Sequence, residues 1–186
     1  MPEGYHVQYG GQFESEAAAS ATLMVASLIS VVVIFLLLYM QFHSAQQSAV
    51  ILINLPLALI GGVIVLFFTT GETSIPAIIG FISLFGIATR NGMLLITQYN
   101  LLHDEGRLSP RECIIAGSVD RLNPILMTAL TSALALIPLA INSDSPGNEI
   151  QSPMAVVVLG GLLSSTLLNI YIIPIIYRWL VRKGWA

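Results

Sequence analysis

The stretch Gly86-Ile87-Ala88-Thr89-Arg90-Asn91-Gly92 decides how the whole chain is read, because it sets a guanidinium inside an apolar run. From Ile75 to Tyr99 that run is long enough to cross a bilayer as a helix, and Arg90 falls about a turn beyond its midpoint. An arginine stays charged at any physiological pH, and at that depth it costs roughly 3 kcal/mol on insertion scales. It requires a partner.

Working outward, four more apolar runs cover residues 20–42, 48–70, 124–142 and 154–177. The chain has 186 residues, of which 55% are hydrophobic and only 9% charged, and its mean hydropathy is +0.83. No ordinary soluble domain of this size carries such a composition. A lipid-exposed strand would leave its backbone unpaired, so each run is read as a helix that satisfies its own N–H and C=O groups. The fold class is all-α integral membrane, with five transmembrane helices. Pro56, Pro138 and Pro174 then lie inside helices, each removing one backbone hydrogen bond. Gly61, Gly62, Gly80, Gly86, Gly92, Gly160, Gly161, Ser164 and Ser165 are expected to let the helices approach closely.

Between the third and fourth runs, Ser109-Pro110-Arg111-Glu112 has the parts of a capping box with proline at the first helical position. A short cytoplasmic amphipathic helix is expected over 109–121, with Cys113, Ile114, Ala116, Gly117 and Val119 against the membrane face. Asn123-Pro124 looks like the cap and first residue of the next span. Residues 1–19 contain no Lys or Arg, hence no signal-peptide n-region, and Tyr5, Val7 and Tyr9 alternate like the last strand of a preceding domain or linker.

Of the seven basic residues, Arg107, Arg111 and Arg121 lie between the third and fourth spans, and Arg178, Arg182 and Lys183 follow the fifth. The positive-inside rule then places the N-terminus outside and the tail at 178–186 in the cytoplasm. Tyr177, Trp179 and Trp185 fit an interfacial belt near that exit.

All ten carboxylates lie outside the five runs. An arginine side chain reaches only about 6 to 7 Å, well short of an interface some 15 Å away. The favoured partner is therefore a carboxylate on a helix outside this sequence. A shifted span, a water-filled cavity, or satisfaction by Asn91, Thr89, Thr128 and backbone carbonyls are the alternatives. Because arginine holds its proton, it serves as a fixed counter-charge, and the carboxylate is the group that titrates. A helix movement that alters their separation alters the proton affinity, which is the core of proton-coupled transport. Thr128 and Arg121 extend a polar path, Thr128 being equally readable as core or back-bonded and Arg121 as a positive-inside anchor. Asn54 and Asn169 read as interhelical glue. The methionines, among them Met24, Met40, Met93, Met127 and Met154, lack a copper-type spacing and are assigned to core packing. Cys113 reads as a packed free thiol, and His6, His43 and His103 form no metal-ligand pair. No cofactor or metal site is expected, and no nucleophile, base and orienting group occur at enzyme-like spacing.

Several stretches together resemble the C-terminal membrane part of a resistance-nodulation-division (RND) efflux permease. They are Gly4-Tyr5 with Gly10-Gly11-Gln12-Phe13-Glu14, Gly80 to Ile87, Arg121-Leu122-Asn123-Pro124 through Thr128, and Gly147-Asn148-Glu149-Ile150-Gln151-Ser152-Pro153-Met154. The last, followed by Val158-Leu159-Gly160-Gly161, is most similar to the heavy-metal branch. The resemblance implies the last five of twelve helices in a homotrimeric proton/substrate antiporter of the bacterial inner membrane. A periplasmic adaptor and an outer-membrane channel are implied as partners, with membrane lipids around it and no nucleic acid. In the multidrug branch a lysine followed by asparagine stands where Arg90-Asn91 stand here and pairs with aspartates of the first half; Arg121 and Thr128 match family relay positions. Some heavy-metal members carry an acidic residue near the place of Arg90, and this chain does not. Taken alone, such a piece, lacking the first half of the permease, is not expected to transport. Export of heavy-metal cations is the expected function of the whole, with a multidrug exporter fragment or a non-transporting membrane scaffold as the alternatives.

Overall fold

The computed structural model describes residues 12–69, 74–106, 108–142, 147, 148 and 150–182. The expected strand-like segment before residue 12, the turn at 71–73, Arg107, Lys183 and Trp185 lie outside them. The described residues form five helices: α1 (Gln12–Phe42), α2 (Ala45–Thr69), α3 (Ile75–Asp104), α4 (Pro110–Ile141) and α5 (Gln151–Arg182). The shortest has 25 residues and the longest 32, giving about 37 to 48 Å against a hydrocarbon core of about 30 Å. All five are long and apolar enough to cross a membrane.

Each apolar run is a helix as expected, and each helix is longer than its run. The first begins at Gln12, eight positions before the run at 20, because Glu16 and three alanines extend a good helix-forming sequence upstream. Between α1 and α2, His43 takes a positive φ of 51° and Ser44 accepts from the Gln47 N–H, so the reversal needs only two residues. Ser74 caps α3 by accepting from the Ala77 N–H. The capping box is present, with Ser109 N–H donating to Glu112 Oε2 at 2.9 Å and Glu112 N–H to Ser109 Oγ at 3.5 Å.

The helix that starts there does not stop at residue 121. It continues through Asn123 and Pro124 into the fourth span, so α4 is one 32-residue rod with Pro124 and Pro138 inside it. Proline removes a single N–H, and α4 tolerates that loss at position 124 as α2 does at Pro56 and α5 at Pro174. The expected membrane-facing side of the segment is also different: Cys113, Ile114 and Gly117 are buried, while Val119 is exposed. A Cβ on Gly117 would stand 2.7 Å from the Tyr99 ring, so this face packs onto α3.

α5 lies at the centre of the bundle and touches α2, α3 and α4. Of its most apolar stretch 56% is buried, against 6% for α1 and for α4, which are the outer helices. The α2–α5 seam is built on small residues. A Cβ on Gly160 would sit 2.6 Å from the Gly61 carbonyl oxygen, and Ser164 Oγ donates across the seam to the Ala58 carbonyl at 3.0 Å. In lipid, where burying apolar surface between helices gains little, close approach and such hydrogen bonds hold a bundle together. Met24, Met40 and Met127 are exposed on the outer faces of α1 and α4 rather than packed in the core. Cys113 is a buried free thiol, as expected.

Candidate functional site

Arg90 stands halfway along α3, and its side chain is exposed. The buried face of α3 is drawn by Leu84, Ala88, Asn91, Gly92, Leu95 and Tyr99, at helical spacing. Arg90 is on the opposite side. Ser83, Gly86 and Arg90 recur at three and four residues on that outward stripe, and Thr97 continues it two turns further. A Cβ on Gly86 would meet nothing within 4 Å, so this glycine, expected at a helix contact, lies on the open face.

The structure separates residues that sequence reasoning had grouped. Asn91 is only 3% exposed and turns into the bundle, because successive residues on a helix point about 100° apart. Thr128, half-buried, donates to the Pro124 carbonyl at 2.8 Å, the back-bonded arrangement. Arg121 donates through Nε and Nη2 to Gln98 Oε1, at 3.1 and 2.7 Å, and Gln98 Nε2 donates to Asp120 Oδ2 at 3.4 Å. Gln98 is eight residues from Arg90 on α3, about 12 Å along the axis. Arg121 is thus anchored two turns from Arg90 rather than beside it.

Among the described residues Arg90 has no hydrogen bond and no ion pair. Asp104, at the end of the same helix, is fourteen residues away, or about 21 Å of rise, far beyond side-chain reach. The outward stripe ends at a polar cavity of about 240 Å³, lined by Thr97, Asn100 and Asp104 from α3 and by Gln41 and Phe42 from α1. It lies toward the basic end of the bundle, and its lining residue nearest Arg90 is Thr97, seven residues or about 10 Å along α3.

A second polar layer escaped the sequence reading. Asn100 Nδ2 donates to Gln47 Oε1 at 2.9 Å, Tyr177 donates to Asn100 Oδ1 at 2.8 Å, and the Tyr99 and Ser118 hydroxyls are 2.6 Å apart. The rings of Tyr99 and Tyr177 meet between these bonds, tilted at 50° with centroids 5.0 Å apart. Tyr177 is therefore 2% exposed and part of the core, not of an interfacial belt. The layer ties α2, α3, α4 and α5 together. Its signal in the sequence is polar residues at the ends of apolar runs, Gln47, Gln98 and Asn100, with Ser118 in the segment between the third and fourth runs. Deeper in, Asn54 donates to Asn169, joining α2 to α5 as expected.

Five spanning helices with a lone outward arginine at mid-depth define a multi-pass membrane protein whose polar face is turned away from its own core. The chain belongs to the AcrB/AcrD/AcrF family of RND efflux transporters, which matches residues 1–181. It is 37% identical over 183 residues to the cobalt-zinc-cadmium resistance protein CzcA of Cupriavidus metallidurans, covering 98% of this chain and 17% of that protein. It is 38% identical over 186 residues to the nickel and cobalt resistance protein CnrA of the same organism, again 17% of that length. The multidrug resistance protein MdtC of Proteus mirabilis is 33% identical over 175 residues, covering 93% of this chain. Two crystal forms of a heavy metal efflux pump superpose with TM-scores of 0.81 and 0.80 at 32% and 35% identity, covering 97% and 98% of this chain and 18% of theirs. The family is one of transporters, not enzymes.

Proposed function

We propose that this chain is the C-terminal membrane part of a proton-driven RND antiporter that exports heavy-metal cations across the bacterial inner membrane. The observation that carries the reading is Arg90, exposed in the middle of a spanning helix with no partner among the described residues, on a stripe of small and polar residues. A charge held at that depth implies an acid on a facing helix, so the other half of the permease supplies the intramembrane carboxylate. Arg90 is the fixed charge, and the carboxylate takes up and releases the proton as the two halves move. Arg121, held by Gln98 about two turns away, and the back-bonded Thr128 are assigned to the cytoplasmic side of the relay, and Asn91 to the buried face of α3 behind Arg90. Metal cations are favoured over drugs because cobalt, zinc, cadmium and nickel resistance proteins are among the matches at 37 and 38% identity, against 33% for the multidrug resistance protein MdtC. The assembled pump is a homotrimer that works with a periplasmic adaptor and an outer-membrane channel.

The test is made in the complete permease, reconstituted in vesicles with an imposed pH gradient. Arg90→Ala is expected to abolish gradient-driven export of cobalt or zinc while leaving assembly intact, and Arg90→Lys to retain part of it. Undiminished proton-coupled export by Arg90→Ala would sink the relay. Export that runs without any pH gradient would sink the antiport itself.

A further inference from the structure

At the basic end of the bundle two cavities adjoin between the start of α4 and the end of α5, and they share Arg111, Ile114 and Arg178. The outer one, about 350 Å³, reaches Ser109, Pro110 and Val181. The other, about 170 Å³, is lined in addition by Ile115, Pro174 and Ile175, which lie further into the spans. Both arginines are exposed, and among the described residues neither forms an ion pair or a hydrogen bond. Glu112, the nearest acid in sequence, is turned back onto the Ser109 N–H as a cap.

Depth matters here. Asn169, paired with Asn54, lies in the middle of the bundle; Arg178 is nine residues further along α5, about 14 Å, near the edge of the hydrocarbon. This count places Arg178 at headgroup level, with Arg111 across the shared cavities from it and the apolar lining of Ile115, Pro174 and Ile175 beside them. Ile115 and Ile175 are 56% and 67% exposed, and Tyr171 and Leu167 continue the α5 side of this lining at four-residue spacing.

We propose that this is a binding site for one anionic phospholipid. Its phosphate is held between Arg111 and Arg178, and an acyl chain lies along Ile115, Pro174 and Ile175. The charge decides the occupant: two arginines without an acid partner attract a phosphodiester, and the apolar lining beside them suits the acyl chain that a free phosphate lacks. The site owes nothing to the Arg90 relay and holds whether or not that reading does.

The test uses the complete permease in neutral detergent, with retained lipid counted by native mass spectrometry after addition of phosphatidylglycerol, phosphatidylcholine or inorganic phosphate. Phosphatidylglycerol is expected to be retained over phosphatidylcholine. The Arg111→Gln/Arg178→Gln pair is expected to weaken that retention about 30-fold, at about fivefold per arginine near a membrane surface. The Arg111→Lys/Arg178→Lys pair, which keeps the charge and serves as a folding control, retains most of it. Equal retention of phosphatidylcholine, inorganic phosphate displacing the lipid at equal concentration, or undiminished retention by the glutamine pair would each overturn the site.

Discussion

Arg90 and Asn91 are neighbours in sequence and strangers in space. One faces outward from the bundle and the other is buried within it, although both had been read as parts of one relay. The charge and its depth were legible from a count of residues; its direction was not, because apolar residues surround it on every side of α3. Arg121 offers the reverse case. Its partner, Gln98, is 23 residues away in sequence, and only the antiparallel meeting of α3 and α4 brings them to 2.7 Å. At this scale Tyr177 supports a direct measurement. Tyr177→Phe removes the hydrogen bond to Asn100 and leaves the tilted ring contact with Tyr99, so the protein is expected to lose about 0.5–1.5 kcal/mol in detergent unfolding. An unchanged stability would mean that Asn100 is already satisfied by Gln47 alone.

Among the elements, α2 and α5 share the seam that most depends on missing side chains. Gly160→Leu would drive a side chain into the backbone of Gly61, and is expected to destabilise the bundle by about 1–3 kcal/mol or more, read as a lower midpoint in thermal unfolding. Gly86→Leu is the matched control on α3. It enters open space, so the stability of this five-helix unit should hold, while assembly with the rest of the permease should weaken. If both substitutions destabilise the isolated unit alike, the outward stripe is not an open face. The sequence located both glycines equally well; what separates them is which face a neighbouring helix covers. The α4 helix teaches a related lesson. Its capping box was readable because it is made of local hydrogen bonds, yet Pro124, taken as a new helix start, lies inside a continuous rod. Proline marks a lost donor, and whether the chain bends or ends there depends on what packs around it.

For the whole molecule, the distribution of arginines predicts a topology. Gly147 lies between α4 and α5, at the end without Lys or Arg, and Gly106 lies at the opposite, basic end. With Cys113 replaced by alanine, a Gly147→Cys variant is expected to react with an impermeant thiol reagent in intact cells. Gly106→Cys is expected to react only after permeabilisation. The opposite pattern would reverse the orientation and move the lipid site to the outer leaflet. By itself the sequence determined that there are five spanning helices, where the charges concentrate, and that one arginine lies in mid-membrane. These follow from composition, because in lipid each segment must satisfy its own backbone whatever its neighbours do. Only the tertiary structure decided that α5 is central, that Gly61 and Gly160 meet, that Gln98 holds Arg121, and that Arg90 looks outward. Spanning helices are apolar all round, and lipid gives little hydrophobic preference for one face over another. The choice of packed face rests on close fit and interhelical hydrogen bonds, which no count along a single helix contains.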